Sequence, residues 1–118
     1  MSDWTETAKR LAAHPKWSEM MTDTAAGYGI VWRDDDGWTY RITDHVQLCH
    51  EDFPVLTDWA TVGALLGMLS EEGPWRLRYL GAGFRWCAEM DEFGARGGVE
   101  GRSPGEAVAT ALLEVWDG

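Results

Sequence analysis

The chain carries only two cysteines, Cys49 and Cys87, and no C-x-x-C pair. Two thiols without that spacing fit neither a disulfide scaffold nor the recurrent zinc patterns. The opening residues MSDWTETAKR do not join a basic region to an apolar one, so no secretory leader is expected there. Apolar runs stay far below the ~20 residues that a membrane span needs. Positive charge is scarce: 10 Lys and Arg face 20 Asp and Glu, a formal net charge of −10. Duplex nucleic acid and anionic membranes are gripped by Lys and Arg, so the expectation is no direct nucleic acid and no membrane. P-loop, G-x-G-x-x-G, G-x-S-x-G and H-E-x-x-H patterns are missing, and no cofactor is expected. These absences predict a cytoplasmic chain with both thiols reduced.

What is present suits one domain over residues 1–118, long enough to bury a core without a disulfide or a metal. The eight tryptophans are unusual for 118 residues. The segment 57–72, TDWATVGALLGMLSEE, reads as a central helix. At about 100° per residue, Trp59, Val62, Leu66 and Leu69 share a stripe that predicts packing on a sheet. Gly63 and Gly67 form a second flank, predicted to lie close to another backbone. Thr57 or Asp58 supplies the N-cap and Gly73-Pro74 the stop. A second helix over about 103–116 opens with Ser103 as N-cap, Pro104 and Glu106. Its expected buried face is Val108, Ala111, Leu112, Val115 and Trp116. A first helix over 3–13 presents Trp4, Ala8 and Leu11 on one face and ends near Pro15.

Two hairpins complete the reading. Tyr28, Ile30 and Trp32 alternate on one face, as do Trp38, Tyr40 and Ile42, around the turn Asp34-Asp35-Asp36-Gly37. In PWRLRYL and FRWCAEM, aromatic and apolar residues alternate with Arg76, Arg78 and Arg85. A shared apolar face requires paired numbers with an odd sum, here expected as Tyr79 opposite Phe84 and Leu77 opposite Trp86. The predicted class is α+β: a mainly antiparallel sheet of about four or five strands, built from the two hairpins and covered by helices in a sandwich-like arrangement. Period two turns the arginines away from the aromatics, which opposes a base-stacking platform.

Candidate functional residues fall into two sets. Asp34, Asp35, Asp36, Glu71, Glu72, Asp91 and Glu92 gather in turns and helix ends, forming a candidate acidic interaction surface. His45, Cys49 and His50 offer metal-ligand or Cys/His chemistry. Their spacing matches no recurrent site, so the expectation is no metal, and an enzyme or metalloprotein is kept as the alternative.

The segments HPKW (14–17), PVLTDWATVGALLGMLSEEG (54–73) and RSPGEAVATALLEVW (102–116) resemble the phage ABA sandwich domain, over about the last two-thirds of the chain. The shared pattern is a Pro-x-Leu-Thr-Asp segment opening a leucine-rich helix, a tryptophan-bearing hairpin and a [ST]-x-x-E-A helix. The resemblance implies a helix–sheet–helix sandwich of phage or prophage origin, acting in the bacterial host cytoplasm. That family has no established activity, so no functional residue is carried over. With the charge, the resemblance predicts a non-enzymatic accessory protein that binds a host protein stoichiometrically, such as an inhibitor of a bacterial defence system (anti-CRISPR-like). A structural or self-assembling component, for example a homodimer covering the apolar helix, is a further alternative.

Overall fold

Among the described residues, alternating apolar residues around turn signals produce two antiparallel sheets, and three long helices bury the remaining apolar surface between and beside them. The computed structural model describes residues 4–17, 30–34, 36–41, 52–81, 85–90 and 98–117. Its elements are α1 (Trp4–Ala13), β1 (Val31–Arg33), β2 (Thr39–Arg41), β3 (Phe53–Pro54), α2 (Trp59–Glu72), β4 (Trp75–Tyr79), β5 (Trp86–Met90), β6 (Val99–Gly101) and α3 (Pro104–Asp117). The α+β class with antiparallel strands covered by helices is what the sequence predicts. The hairpins do not share one sheet, however: the strand orders are β2-β1-β3 and β4-β5-β6.

In the first sheet Asp34 organises the turn. Its carboxylate accepts from the Asp36 and Trp38 amides at 3.0 and 2.9 Å, and Gly37 takes φ 95°. Ile30 and Trp32 are fully buried, as the alternation predicts. Trp38 was expected on the same face but is 73% exposed, because it lies on the turn just before β2 begins. β3 is an edge strand, the position where a proline such as Pro54 is tolerated. The Val55 amide adds a bond to the Val31 carbonyl at 2.8 Å.

The second hairpin keeps the expected parity but in a register shifted by two. Leu77 pairs with Ala88 and Tyr79 with Trp86, and Arg78 faces Cys87. The Leu80 amide donates to the Arg85 carbonyl at 2.8 Å. Phe84, the expected partner of Tyr79, is outside the described residues.

The helix that holds these parts together is α3, not α2. It packs against α1, α2, β5 and β6. Ser103 Oγ accepts from the Glu106 amide at 3.2 Å, so the predicted cap forms. Small side chains let neighbours approach: Gly105, Ala107, Ala109 and Ala111 are buried with Val108, Leu112 and Leu113. Val115 and Trp116, expected inside, are half-buried. A side chain at Gly105 would run into the Leu56 carbonyl, so the close backbone approach predicted for Gly63 and Gly67 is found here. A Cβ on either of those two glycines would meet nothing within 4 Å.

α2 begins at its predicted cap, Asp58, which accepts from the Thr61 amide at 2.9 Å. Its buried residues are Thr61, Val62, Ala64, Leu65, Met68 and Leu69. That face is rotated by about 100° from the Trp59-Val62-Leu66-Leu69 stripe. The cause is α3, which claims the Leu65/Met68 side, together with a tie to the first sheet. The Thr61 hydroxyl donates to Asp58 at 3.1 Å and accepts from the Val31 amide at 3.0 Å. One buried hydroxyl therefore joins cap, helix and strand.

In α1, Ala8 and Leu11 are fully buried, and a further helical turn over 15–17 buries Trp17 against Trp32 (5.7 Å between rings). Trp32 contributes large apolar burial, although its indole N–H finds no acceptor among the described residues. His14 reaches Asp117 at 2.9 Å and lies on the Trp116 ring, linking the ends of α1 and α3.

Two measurements check this packing. Thr61→Val keeps volume but orphans the Val31 amide, and should cost about 1–3 kcal/mol in urea unfolding; a loss of a few tenths would remove the tie. Gly105→Ala should cost about 3 kcal/mol or more through overpacking, whereas Gly63→Ala should stabilise by about 0.5–1 kcal/mol through helix propensity. Equal effects of the two glycine substitutions would show that α3 is misplaced.

Candidate interaction face

Rotating the buried face of α2 leaves Trp59, Gly63 and Ser70 exposed on its opposite side, with Leu66 half-buried among them. Trp59, Gly63, Leu66 and Ser70 fall within about 60° of one another on the helix. This stripe runs beside the apolar face of the second hairpin, where Trp75, Leu77 and Tyr79 of β4 and Trp86 of β5 point the same way by the pairing register. Ring contacts fix one end: Trp59 meets Trp86 edge-on at 6.4 Å and Tyr79 meets Trp86 at 5.0 Å. At the other end the Trp75 indole donates to Ser70 Oγ at 2.6 Å, and that hydroxyl donates to the Leu66 carbonyl at 2.9 Å.

The aromatics are held by defined partners yet remain open to solvent. Trp59 is 67% exposed, Tyr79 52% and Trp75 38%. None of the side chains in this face is charged. Large apolar patches on a soluble chain mark surfaces that meet another molecule. Trp and Tyr are also the residues that most often dominate binding energy. Sequence reasoning placed Trp59, Trp75 and Tyr79 in the core. The missed signal lay in α2 itself: a helix apolar all round does not state which side its neighbours will take.

The other side of the hairpin is polar, as the alternation predicts. Arg78 pairs with Glu89 at 2.8 Å, Arg76 approaches the same carboxylate at 3.7 Å, and Arg85 reaches Glu100 at 3.6 Å. Cys87 lies buried beneath this ladder as a free thiol. Burial pushes its pKa up, and the neighbouring Glu89 adds to the shift.

The acidic candidates are placed as follows. Asp34 holds the β1–β2 turn and Asp36 is exposed on it. Glu71 is exposed at the end of α2, and Glu72 accepts from the Trp116 indole at 3.3 Å. Asp35, Asp91 and Glu92 are outside the described residues, as are His45, Cys49 and His50. Among the described residues, no group of three or more His, Cys, Asp and Glu is placed to hold a metal ion. Nor, among them, is any helix long and apolar enough to cross a membrane. No family model, curated protein or solved structure matches the chain.

The buried thiol gives a direct check. With Cys49→Ser, the remaining thiol of Cys87 should react with a disulfide reagent at pH 8 only as fast as the protein opens, and faster as urea is added. The raised pKa means its contribution to stability is complete below the unfolded-state value and is lost as pH rises through the folded-state one. Immediate labelling of the native protein would contradict the burial.

Proposed function

We propose that this chain is a non-enzymatic binding protein that docks a protein partner on the aromatic face between α2 and β4. The observation that carries the reading is the uncharged group of Trp59, Trp75, Tyr79 and Trp86: Trp59 and Tyr79 meet Trp86, Ser70 holds Trp75, and three of the rings stay open to solvent. Preordered aromatic rings lose little conformational entropy when a partner covers them.

In the phage setting that the family resemblance implies, the partner is a host protein, with inhibition of a bacterial defence system as the stoichiometric outcome. The net charge of −10 supports this setting in one way. It keeps the chain off nucleic acid while the neutral face stays free for protein contact. The acidic positions Asp36 and Glu71 then steer association rather than form the contact.

The test is capture from a bacterial host lysate with the native chain and with Trp59→Glu/Tyr79→Glu. Both positions are exposed, so the variant should keep its melting temperature within a few degrees. A partner held by the native chain and lost by the variant supports the face. A partner retained equally by both excludes it.

A further inference from the structure

Resting on that reading, we propose that β4 is itself the docking element. Its outer edge receives an extended segment of the partner as an added strand, whose apolar side chains cover the aromatic face and whose acidic side chains meet Arg76 and Arg78.

The backbone phase of the hairpin supports this. Leu80 donates to the Arg85 carbonyl at 2.8 Å, which marks that pair as hydrogen-bonded. Antiparallel pairs alternate between bonded and non-bonded, so Arg78 and Arg76 also point their amides and carbonyls at β5. The amides and carbonyls of Trp75, Leu77 and Tyr79 therefore point outward. β4 is the end strand of its sheet, and among the described residues nothing pairs with that side. Leu77 is half-buried and the other four residues are exposed, which agrees with an open edge. Edges are usually blunted by proline, a bulge, charged side chains or a covering element; the charges on β4, Arg76 and Arg78, are both drawn to Glu89 of the neighbouring strand. β4 has neither proline nor bulge within its five residues.

Charge selects the occupant. On the solvent face, among the described residues, three guanidiniums (Arg76, Arg78 and Arg85) meet two carboxylates, Glu89 and Glu100, within an otherwise acidic chain. Arg76 and Arg78 share Glu89, and the Arg76 side chain is 74% exposed. A segment alternating apolar and acidic residues satisfies both faces at once. A second copy of this chain does not. Every antiparallel self-pairing that aligns the aromatic faces over three or more residues sets arginine against arginine, which is unfavourable.

Selection from a random displayed-peptide library against the immobilised full chain tests the proposal. Enriched peptides should alternate apolar and acidic residues. A synthetic copy should bind Arg76→Glu/Arg78→Glu on the order of tenfold more weakly than the native chain. N-methylation of the peptide on alternate amides should abolish binding in one phase and spare it in the other, a readout that needs no protein variant. Enriched peptides with apolar residues at helical spacing, or with basic residues, would overturn strand addition. If their binding were lost in Trp59→Glu/Tyr79→Glu, the aromatic face would still stand. An absence of any enriched peptide, or insensitivity to N-methylation in both phases, would also overturn strand addition. Failure of the face itself is read separately, from capture that the Trp59→Glu/Tyr79→Glu variant does not affect.

Discussion

The close contact between α3 and the segment leading into α2 is the constraint on which the rest depends. At Gly105 the helix backbone lies against Leu56, near enough that no side chain fits between them. The alanines that follow let α3 touch two helices and two strands at once. One hydrophobic cluster consequently spans both sheets, from Ile30, Trp32 and Phe53 to Ala88 and Met90. Longer side chains at those positions would hold the layers apart, leaving two small sheets with too little shared burial to stay together.

Once α3 occupies the middle, α2 has a restricted choice of orientation. It turns Leu65, Met68 and Leu69 inward, and Thr61 hooks it to β1. Its remaining apolar surface, with Trp59 at one end, is left beside β4. The exposed aromatic face thus follows from core packing, and Trp59, Trp75 and Tyr79 stay open to solvent on it. Contacts among Trp59, Trp86, Tyr79, Trp75 and Ser70 hold it in a defined shape. The same hairpin keeps its arginine and glutamate ladder on the opposite side, so one strand presents a neutral face and a charged one. That combination makes β4 a distinctive edge in a chain whose net charge is otherwise strongly negative.

Much of the local structure is legible in the sequence. Asp58 and Ser103 cap their helices because short side-chain acceptors three residues ahead of an amide are the simplest way to satisfy a helix start. Gly37 takes positive φ in an aspartate-rich turn, and the arginines of the second hairpin point outward because strand side chains alternate. The register parity was equally determined, but the shift by two was not, since moving the pairing by two residues keeps the apolar faces aligned. In the candidate interaction face, all the residue types were visible and their placement was not. Trp59 and Tyr79 looked like core because each falls in an apolar pattern, a helical stripe at Trp59 and strand alternation at Tyr79.

The sequence by itself therefore determined the elements, their caps, the antiparallel strands and which side of each hairpin is apolar. These follow from interactions within a few residues of one another. Tertiary structure alone decided which helix lies at the centre, which flank of α2 is hidden and which aromatics meet water. Those outcomes depend on competition for the same volume among segments distant in the chain, and a helix apolar on every side enters that competition with no preferred face. Gly105, with room for no atom beyond its backbone, settles it in favour of α3.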